Sequence, residues 1–322
     1  MSLSELYKRI ALISPYIEVG LRHLYWSNVG LLKKFNPNRP QRKEENTNFT
    51  IDFDRVIDWL KLRGIGKGDV LIVHSSYGAL ECTNLSPQQI IQKLLDLIGP
   101  AGTLCMPVIR RFKEEENAIK NGISLDDVKI KYNVKKTMVT SGMLPYELMQ
   151  WEGAQISKFP YNPLCAVGPL AKEMMEHNLE GELPTPHGPN SSWKFCYDHG
   201  AKVCSIGTDI EHHNTIGHIT EEAFGNWKWS SEEWYDIRNF IIIDENKESR
   251  EIRVRNRKDK WGQLHLADIN ANTWLKGTGA MVSDVIENVI PVGFVNPQLM
   301  IEEYKKKNIK GYPYYVFPWQ HI

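Results

Sequence analysis

The densest run of side chains able to move protons is Thr208-Asp209-Ile210-Glu211-His212-His213-Asn214-Thr215-Ile216-Gly217-His218-Ile219-Thr220-Glu221-Glu222. Three of the ten histidines fall within seven residues of it. If a helix starts near Asn214 or Thr215, then Thr215, His218 and Glu221 or Glu222 share one face, because residues three or four apart are neighbours on a helix. An imidazole with a carboxylate one turn away is an oriented general base. A hydroxyl one turn earlier can donate to a developing negative charge. The same spacing also describes an ordinary surface pair worth roughly 0.2–0.5 kcal/mol. His212, His213, His218 and Glu221 are all metal-capable, yet their spacing matches no zinc signature such as H-E-x-x-H.

A second constellation, Val73-His74-Ser75-Ser76, directly follows the apolar run Val70-Leu71-Ile72-Val73. Hydroxyls and free backbone N–H groups at the end of a buried strand suit a thioester or a pantetheine chain. The competing reading is a serine that caps a short helix. A nucleophilic serine would call for a G-x-S-x-G elbow, which is absent.

The elements that must position these groups read as a mixed α/β pattern. Val70–Val73, Thr103–Pro107 and Lys202–Ile206 are short apolar runs of the kind buried on both faces of a sheet. Ser86-Pro87 opens a helix running to about Ile98, so the first two strands and this helix form a parallel crossover unit. Helices are also expected over 52–62, from Ser141-Gly142-Met143-Leu144-Pro145, over Leu170–Met175 and from His218 to about Phe224. Phe240–Ile243, a turn at Asp244-Glu245-Asn246-Lys247 and Glu251–Arg257 predict a C-terminal β-hairpin. The charged stretch from Lys113 to Val134 reads as a loop-like cover. The fold class is therefore α/β, a mixed and largely parallel central sheet flanked by helices.

Residues 1–50 read as an N-terminal helical extension and linker, and 51–322 as one catalytic domain. Apolar positions from Leu6 to Leu31 predict two short helices interrupted at Pro15, and the two prolines and polar residues of Asn36–Asn48 predict a linker. The helices are basic and amphipathic. Packing on the body, a second subunit in a homo-oligomer, and peripheral contact with a membrane surface are the three uses open to them.

Composition narrows the class. Lys plus Arg equals Asp plus Glu at 39 each, which argues against a nucleic-acid partner. The one basic run, Arg250 to Lys258, alternates with other residues and reads as a solvated strand face. Five cysteines without a C-x-x-C pair fit a reducing, cytoplasmic setting. No apolar stretch of about 18 residues is present to span a membrane.

In order and spacing, Val73-His74-Ser75-Ser76, Gly99-x-x-Gly102-Thr103-Leu104-x-Met106-Pro107, Thr140-Ser141-Gly142-x-Leu144, Ala166-x-Gly168-x-x-Ala171 leading to His177, Gly188 leading to Ser191-Ser192, and Asn214-Thr215-x-x-His218-x-x-Glu221 follow one another. Together, over about residues 52–225, they resemble the aminoglycoside 3-N-acetyltransferase family. The resemblance implies a mixed α/β body and acetyl transfer from acetyl-CoA to an amine of an aminosugar. It implies that His218 is the base, that Glu221 supports it and that Thr215 lies near the thioester. His74, Ser75 and Ser76, with Gly102 and Thr103, would touch the cofactor, and no metal is called for.

Two stretches depart from the family pattern. Ile156-Ser157-Lys158-Phe159-Pro160 lacks an arginine and a histidine, and Glu81-Cys82-Thr83-Asn84 replaces a glycine-rich piece. These departures and the basic N-terminus lead to the expectation of a nucleotide- or glycan-linked aminosugar as acceptor. The alternatives are a true aminoglycoside 3-N-acetyltransferase conferring antibiotic resistance, a catalytically silent CoA- or glycan-binding relative, and a metal-dependent hydrolase built on His212, His213 and His218.

Overall fold

The structure, a computed structural model, describes residues 3–35, 50–225 and 234–317. The chain opens with helices α1 (Leu3–Ala11) and α2 (Pro15–Phe35). Pro15 breaks the run as expected, but it serves as the first residue of a 21-residue helix, where its missing N–H costs nothing. The linker expected at 36–48 lies outside the described residues.

The body then runs α3 (Asp54–Leu62), β1 (Val70–Ser75), α4 (Pro87–Ile98), β2 (Thr103–Pro107), α5 (Lys113–Asn121), β3 (Lys129–Asn133), α6 (Met143–Leu148), β4 (Gln155–Ile156), β5 (Leu164–Val167), α7 (Ala171–Glu176), α8 (Ser192–Asp198) and β6 (Lys202–Ile206). It continues with the short α9 (Ile219–Glu222), the long strands β7 (Tyr235–Ile243) and β8 (Ser249–Arg257), and helices α10 (Asp259–His265) and α11 (Asp268–Gly277). Strands β9 (Met281–Ile286) and β10 (Ile290–Val295) and helix α12 (Pro297–Asn308) close it.

Seven strands form the main sheet in the order β4-β5-β2-β1-β6-β10-β9. The mixed α/β class stands, but the expectation of a largely parallel sheet is corrected: only the central trio of this sheet is parallel, β1 running parallel to both β2 and β6. The strands on either side join antiparallel, among them the β9–β10 hairpin, which enters beside β6. The first five residues of β1 and all of β2 are buried, as a strand covered on both faces requires. Ser86 caps α4 by accepting from the Gln89 N–H while the Gln89 side chain accepts from the Ser86 N–H, a reciprocal box with Pro87 at the first helical position.

A second, three-stranded sheet has the order β3-β7-β8. The expected hairpin is β7–β8, and it begins earlier, at Tyr235. Its partner β3 corrects the reading of Lys113–Val134 as loop. In β3 exposed and buried residues alternate, with Ile130 and Tyr132 inside, and the strand pairs parallel with β7. Only Ala118 of α5 is buried. The charge density of that helix masked both elements.

The N-terminal extension is fastened to the body by Glu18. Its fully buried carboxylate accepts from the backbone N–H groups of Ile269 and Asn270 and from Asn270 Nδ2, at the start of α11. Arg22 bridges Glu18 to Asp268 at 3.1 and 2.9 Å. On α1, Leu6 and Ile10 remain exposed, as does Ile13 in the turn that follows. No helix among the described residues is long and apolar enough to cross a membrane.

Candidate active site

The C-terminal end of β1 opens on a cavity of about 510 Å³. His74, Ser75 and Ser76 line it together with Ser141, Gly142, His213 and Thr215. Gly207, just past β6, lets this end of the sheet close up. Its φ is +76°, and a Cβ there would stand 2.5 Å from the Ser76 carbonyl oxygen. The His74 ring stacks on Trp193 and faces His213 at 6.0 Å. Burial, reinforced by His213, pushes the His74 pKa down to about 3, so this imidazole is neutral in the fold. Ser75 Oγ and His74 Nε2 are buried and have no hydrogen-bond partner among the described residues. Such atoms are costly unless a ligand or water satisfies them.

Thr215 and His218 are the two ends of one 3₁₀ turn, Thr215–His218, which runs directly into α9. Side chains at i and i+3 eclipse in such a turn, and its rise of ~2 Å per residue separates the two by ~6 Å along the axis. Thr215 faces both the β1 cavity and a neighbouring hollow of about 200 Å³. His218 faces that same hollow, which Asp268 and Tyr312 also line. On its other side His218 borders a groove of about 320 Å³ with Asn162, His187, Glu222, Arg257 and Lys258. Cavity, hollow and groove are thus strung along a single turn.

Behind His218 lies a buried charge cluster. His218 Nδ1 is 3.4 Å from Glu221 Oε1 and 2.8 Å from Arg257 Nη1. Arg257 Nη2 also contacts Glu221 Oε2, and Glu222 Oε1 at 3.2 Å. The Tyr314 hydroxyl donates to Glu221 Oε2 at 3.2 Å, and the His187 N–H donates to Glu222 Oε2 at 2.8 Å. Burial alone would raise the Glu222 pKa, but His187 and Arg257 hold it well below the usual carboxylate range. Burial keeps the His187 imidazole below its ordinary pKa against the opposing pull of Glu222. The Arg257 guanidinium, although buried, is held charged by Glu221 and Glu222.

The structure brings together Thr215, His218 and Glu221, and it gathers His74, Ser75 and Ser76 at the cavity. It does not bring Gly102 and Thr103 there. They stand at the start of β2, the opposite end of the sheet from the cavity. Thr103 is fully buried and its Oγ1 accepts from the Leu170 N–H. A Cβ on Gly102 would meet Ile98 at 2.6 Å, and one on Gly168 would meet the Gly102 carbonyl at 2.4 Å. These residues seal a backbone crossing, and their spacing in the sequence follows from packing.

The reading of Arg250–Lys258 as a solvated face fails at Arg257, whose side chain is only 15% exposed. Of the histidines weighed as metal ligands, His212 pairs with Asp209 at 2.8 Å and His213 Nδ1 lies 2.8 Å from the Asp209 carbonyl oxygen. His218 is engaged by Glu221 and Arg257. Of the two departing stretches, Glu81 borders the β1 cavity. Ile156–Pro160 lies away from it: Ser157 Oγ donates to Asn178 Oδ1 in the interior, and Phe159 joins the core. Sequence reasoning missed His187, Tyr314 and Arg257. Only Arg257 left a trace, as the last residue of a strand whose basic residues otherwise reach solvent.

The family model for aminoglycoside 3-N-acetyltransferase matches residues 72–281. Aminoglycoside N(3)-acetyltransferase IX of Micromonospora chalcea is 27% identical over 161 residues, 48% of this chain and 56% of that protein. The chain thus spans little more than half the length of this curated relative. The structure of AAC-IIIb with CoASH superposes with a TM-score of 0.61 at 16% identity, over 84% of this chain and 100% of the other. A mutant of aminoglycoside acetyltransferase AAC(3)-IVa in complex with apramycin superposes with a TM-score of 0.60 at 18% identity, covering 83% and 95%. At these identities the solved structures share the fold.

Proposed function

The chain belongs to the aminoglycoside 3-N-acetyltransferase family, and from that premise we propose that it transfers an acetyl group from acetyl-CoA to an amine of an aminosugar. The observation that carries this reading is the shared turn. Thr215 opens on the cavity at β1, and His218, one turn on, opens on the groove.

A pantetheine arm suits this cavity, which Ser141 and Gly142 line and which carries buried polar atoms that lack partners among the described residues. His74, Ser75 and Ser76 would hold the arm there. Acetyl-CoA, when bound, supplies an acetyl group activated as a thioester. The amine of the acceptor is protonated near neutral pH and attacks only after a proton leaves, and His218 takes that proton. The Thr215 hydroxyl donates to the carbonyl oxygen as negative charge develops on it. Direct attack requires no covalent bond to the protein.

The names of the relatives and the apramycin complex support an aminoglycoside-type amine as acceptor. The expectation of a nucleotide- or glycan-linked sugar finds no support in the comparisons. The same proposal carries a cytoplasmic setting, supported by five free cysteines, four of them buried.

The test is thiol release from acetyl-CoA with the full chain and a panel of aminoglycosides, free aminosugars and nucleotide-linked aminosugars. Turnover with an aminoglycoside is expected. Turnover restricted to nucleotide-linked sugars would overturn the acceptor. Binding of acetyl-CoA with no thiol release across the panel would overturn the transferase reading in favour of a silent binder.

A further inference from the structure

The contacts of His218 contain a contradiction that bears on how it can act as a base. A neutral imidazole has one N–H and one lone pair. A guanidinium only donates. With Arg257 Nη1 donating to Nδ1 at 2.8 Å, the ring proton must sit on Nε2. A base that works through Nε2 needs the reverse arrangement, with Nδ1–H donated to a carboxylate and the Nε2 lone pair free. That carboxylate is present: Glu221 Oε1 stands 3.4 Å from the same Nδ1. Nδ1 serves one of the two partners at a time.

The anchoring of Arg257 allows the exchange. Its Nη2 is held by Glu221 Oε2 and Glu222 Oε1, while Nη1 alone reaches the imidazole. Glu221 Oε2 is occupied by Arg257 and the Tyr314 hydroxyl, which leaves Oε1 directed at His218. A small rotation of the guanidinium about Nη2 would withdraw Nη1 and let Nδ1 turn to Glu221 without uncoupling either buried carboxylate.

We propose that Arg257 is a positioning residue that decides which ring nitrogen of His218 carries the proton, holding the resting site in the Nε2–H form and yielding Nδ1 to Glu221 when the base is needed. The inference rests on the reading of His218 as the base. The charged and titratable groups around that imidazole are Glu221 and Glu222 from α9, Glu211 and His212 from the loop before the 3₁₀ turn, His187 from the segment before α8, Asp268 from α11, Tyr304 and Tyr312 from α12 and the segment after it, and Arg257 and Lys258 at the end of β8. Among them Arg257 is the group whose donor lies within hydrogen-bond distance of Nδ1.

The experiment is ¹⁵N NMR of the His218 ring in the full chain without substrates, assigned with His218→Gln and recorded at a pH where the ring is neutral. The wild type is expected in the Nε2–H form. Arg257→Gln and Arg257→Lys are both expected to convert it to Nδ1–H, because each side chain, though it carries donors, ends short of the Nη1 position while Glu221 remains. Should Arg257→Gln fail to fold with two uncompensated carboxylates, Arg257→Lys keeps the cation and reads the same signal. A wild type already in the Nδ1–H form, or variants that keep the wild-type form, would overturn the proposal. The measurement needs no turnover, so a chain that releases no thiol argues against the proposed function alone.

Discussion

Thr215 and His218 stand at opposite ends of a single 3₁₀ turn, the hydroxyl on the cavity at the end of β1 and the imidazole on the groove shared with Arg257. Backbone geometry holds the two side chains on one face about a turn apart. On the proposed reading, the backbone sets the spacing between acetyl presentation and proton removal.

Removal of the imidazole is expected to abolish most of the chemistry while sparing cofactor binding. His218→Ala should lower turnover by about two to four orders of magnitude, with the KM for acetyl-CoA within about twofold of wild type. Steady-state thiol release measures both. A variant that keeps near-full turnover would move the base elsewhere.

Thr215 separates hydroxyl chemistry from bulk. Thr215→Val preserves shape and should lower kcat about 100-fold, whereas Thr215→Ser should recover most of the loss. Equal activity of the valine and serine variants would remove the hydroxyl from the mechanism.

Ser75 and Thr103 are expected to part company. Ser75→Ala removes a polar atom from the cavity and should raise the KM for acetyl-CoA by about fivefold, the effect of one hydrogen bond of about 1 kcal/mol. Thr103→Ala removes the acceptor for the Leu170 N–H and should cost about 1 kcal/mol of stability in urea titration, with that KM unchanged. If Thr103→Ala instead weakens acetyl-CoA binding, the start of β2 belongs to the cofactor site after all.

His74 ties stability to pH. Its pKa is about 3 in the fold, where burial dominates, against 6.5 in the unfolded chain. The unfolded chain therefore binds the extra proton first as pH falls. The contribution of the neutral ring is complete above pH 6.5 and is lost progressively down to about 3. Between pH 7 and pH 5 this one group should remove about 2 kcal/mol of unfolding free energy. The check is urea unfolding at the two pH values for the wild type and His74→Asn. If the variant loses as much as the wild type over that interval, the loss comes from other groups.

Glu18 fastens α2 to α11, and Glu18→Ala would leave the N–H groups of Ile269 and Asn270 and the Arg22 charge short of a partner. A loss of about 3 kcal/mol is expected in urea unfolding. Unchanged stability would mean that the N-terminal helices dock without this carboxylate.

The periodic parts of the molecule were legible in the amino-acid order. Val70–Val73 and Thr103–Pro107 announce strands buried on both faces, Ser86-Pro87 announces a capped helix, and the Thr215–Glu221 spacing announces one face. What stayed hidden depends on contacts across long stretches of chain. Lys129–Asn133 is a strand because β7, more than a hundred residues on, supplies its partner. Gly102 and Thr103 carried a motif whose cause is the packing of Gly168 and Leu170 against them, so their spacing looked like ligand binding. Arg257 was hidden by its neighbours, since a run of alternating basic residues gives no sign that the last one turns inward.

The pairing of β7 with β8 sets Tyr235 opposite Arg257. Side chains alternate between the two faces of a strand, so a slip of one residue in this ladder would point Arg257 to the other face and leave Glu221 and Glu222 facing Asn256 or Lys258. The small sheet thus acts as a ruler for the charge beside the imidazole. An insertion or deletion of a single residue in the Asp244–Glu248 turn, nine or more residues from Arg257 along the chain, would be felt at His218 as well as at Phe240, Ile242 and Val254 in the core.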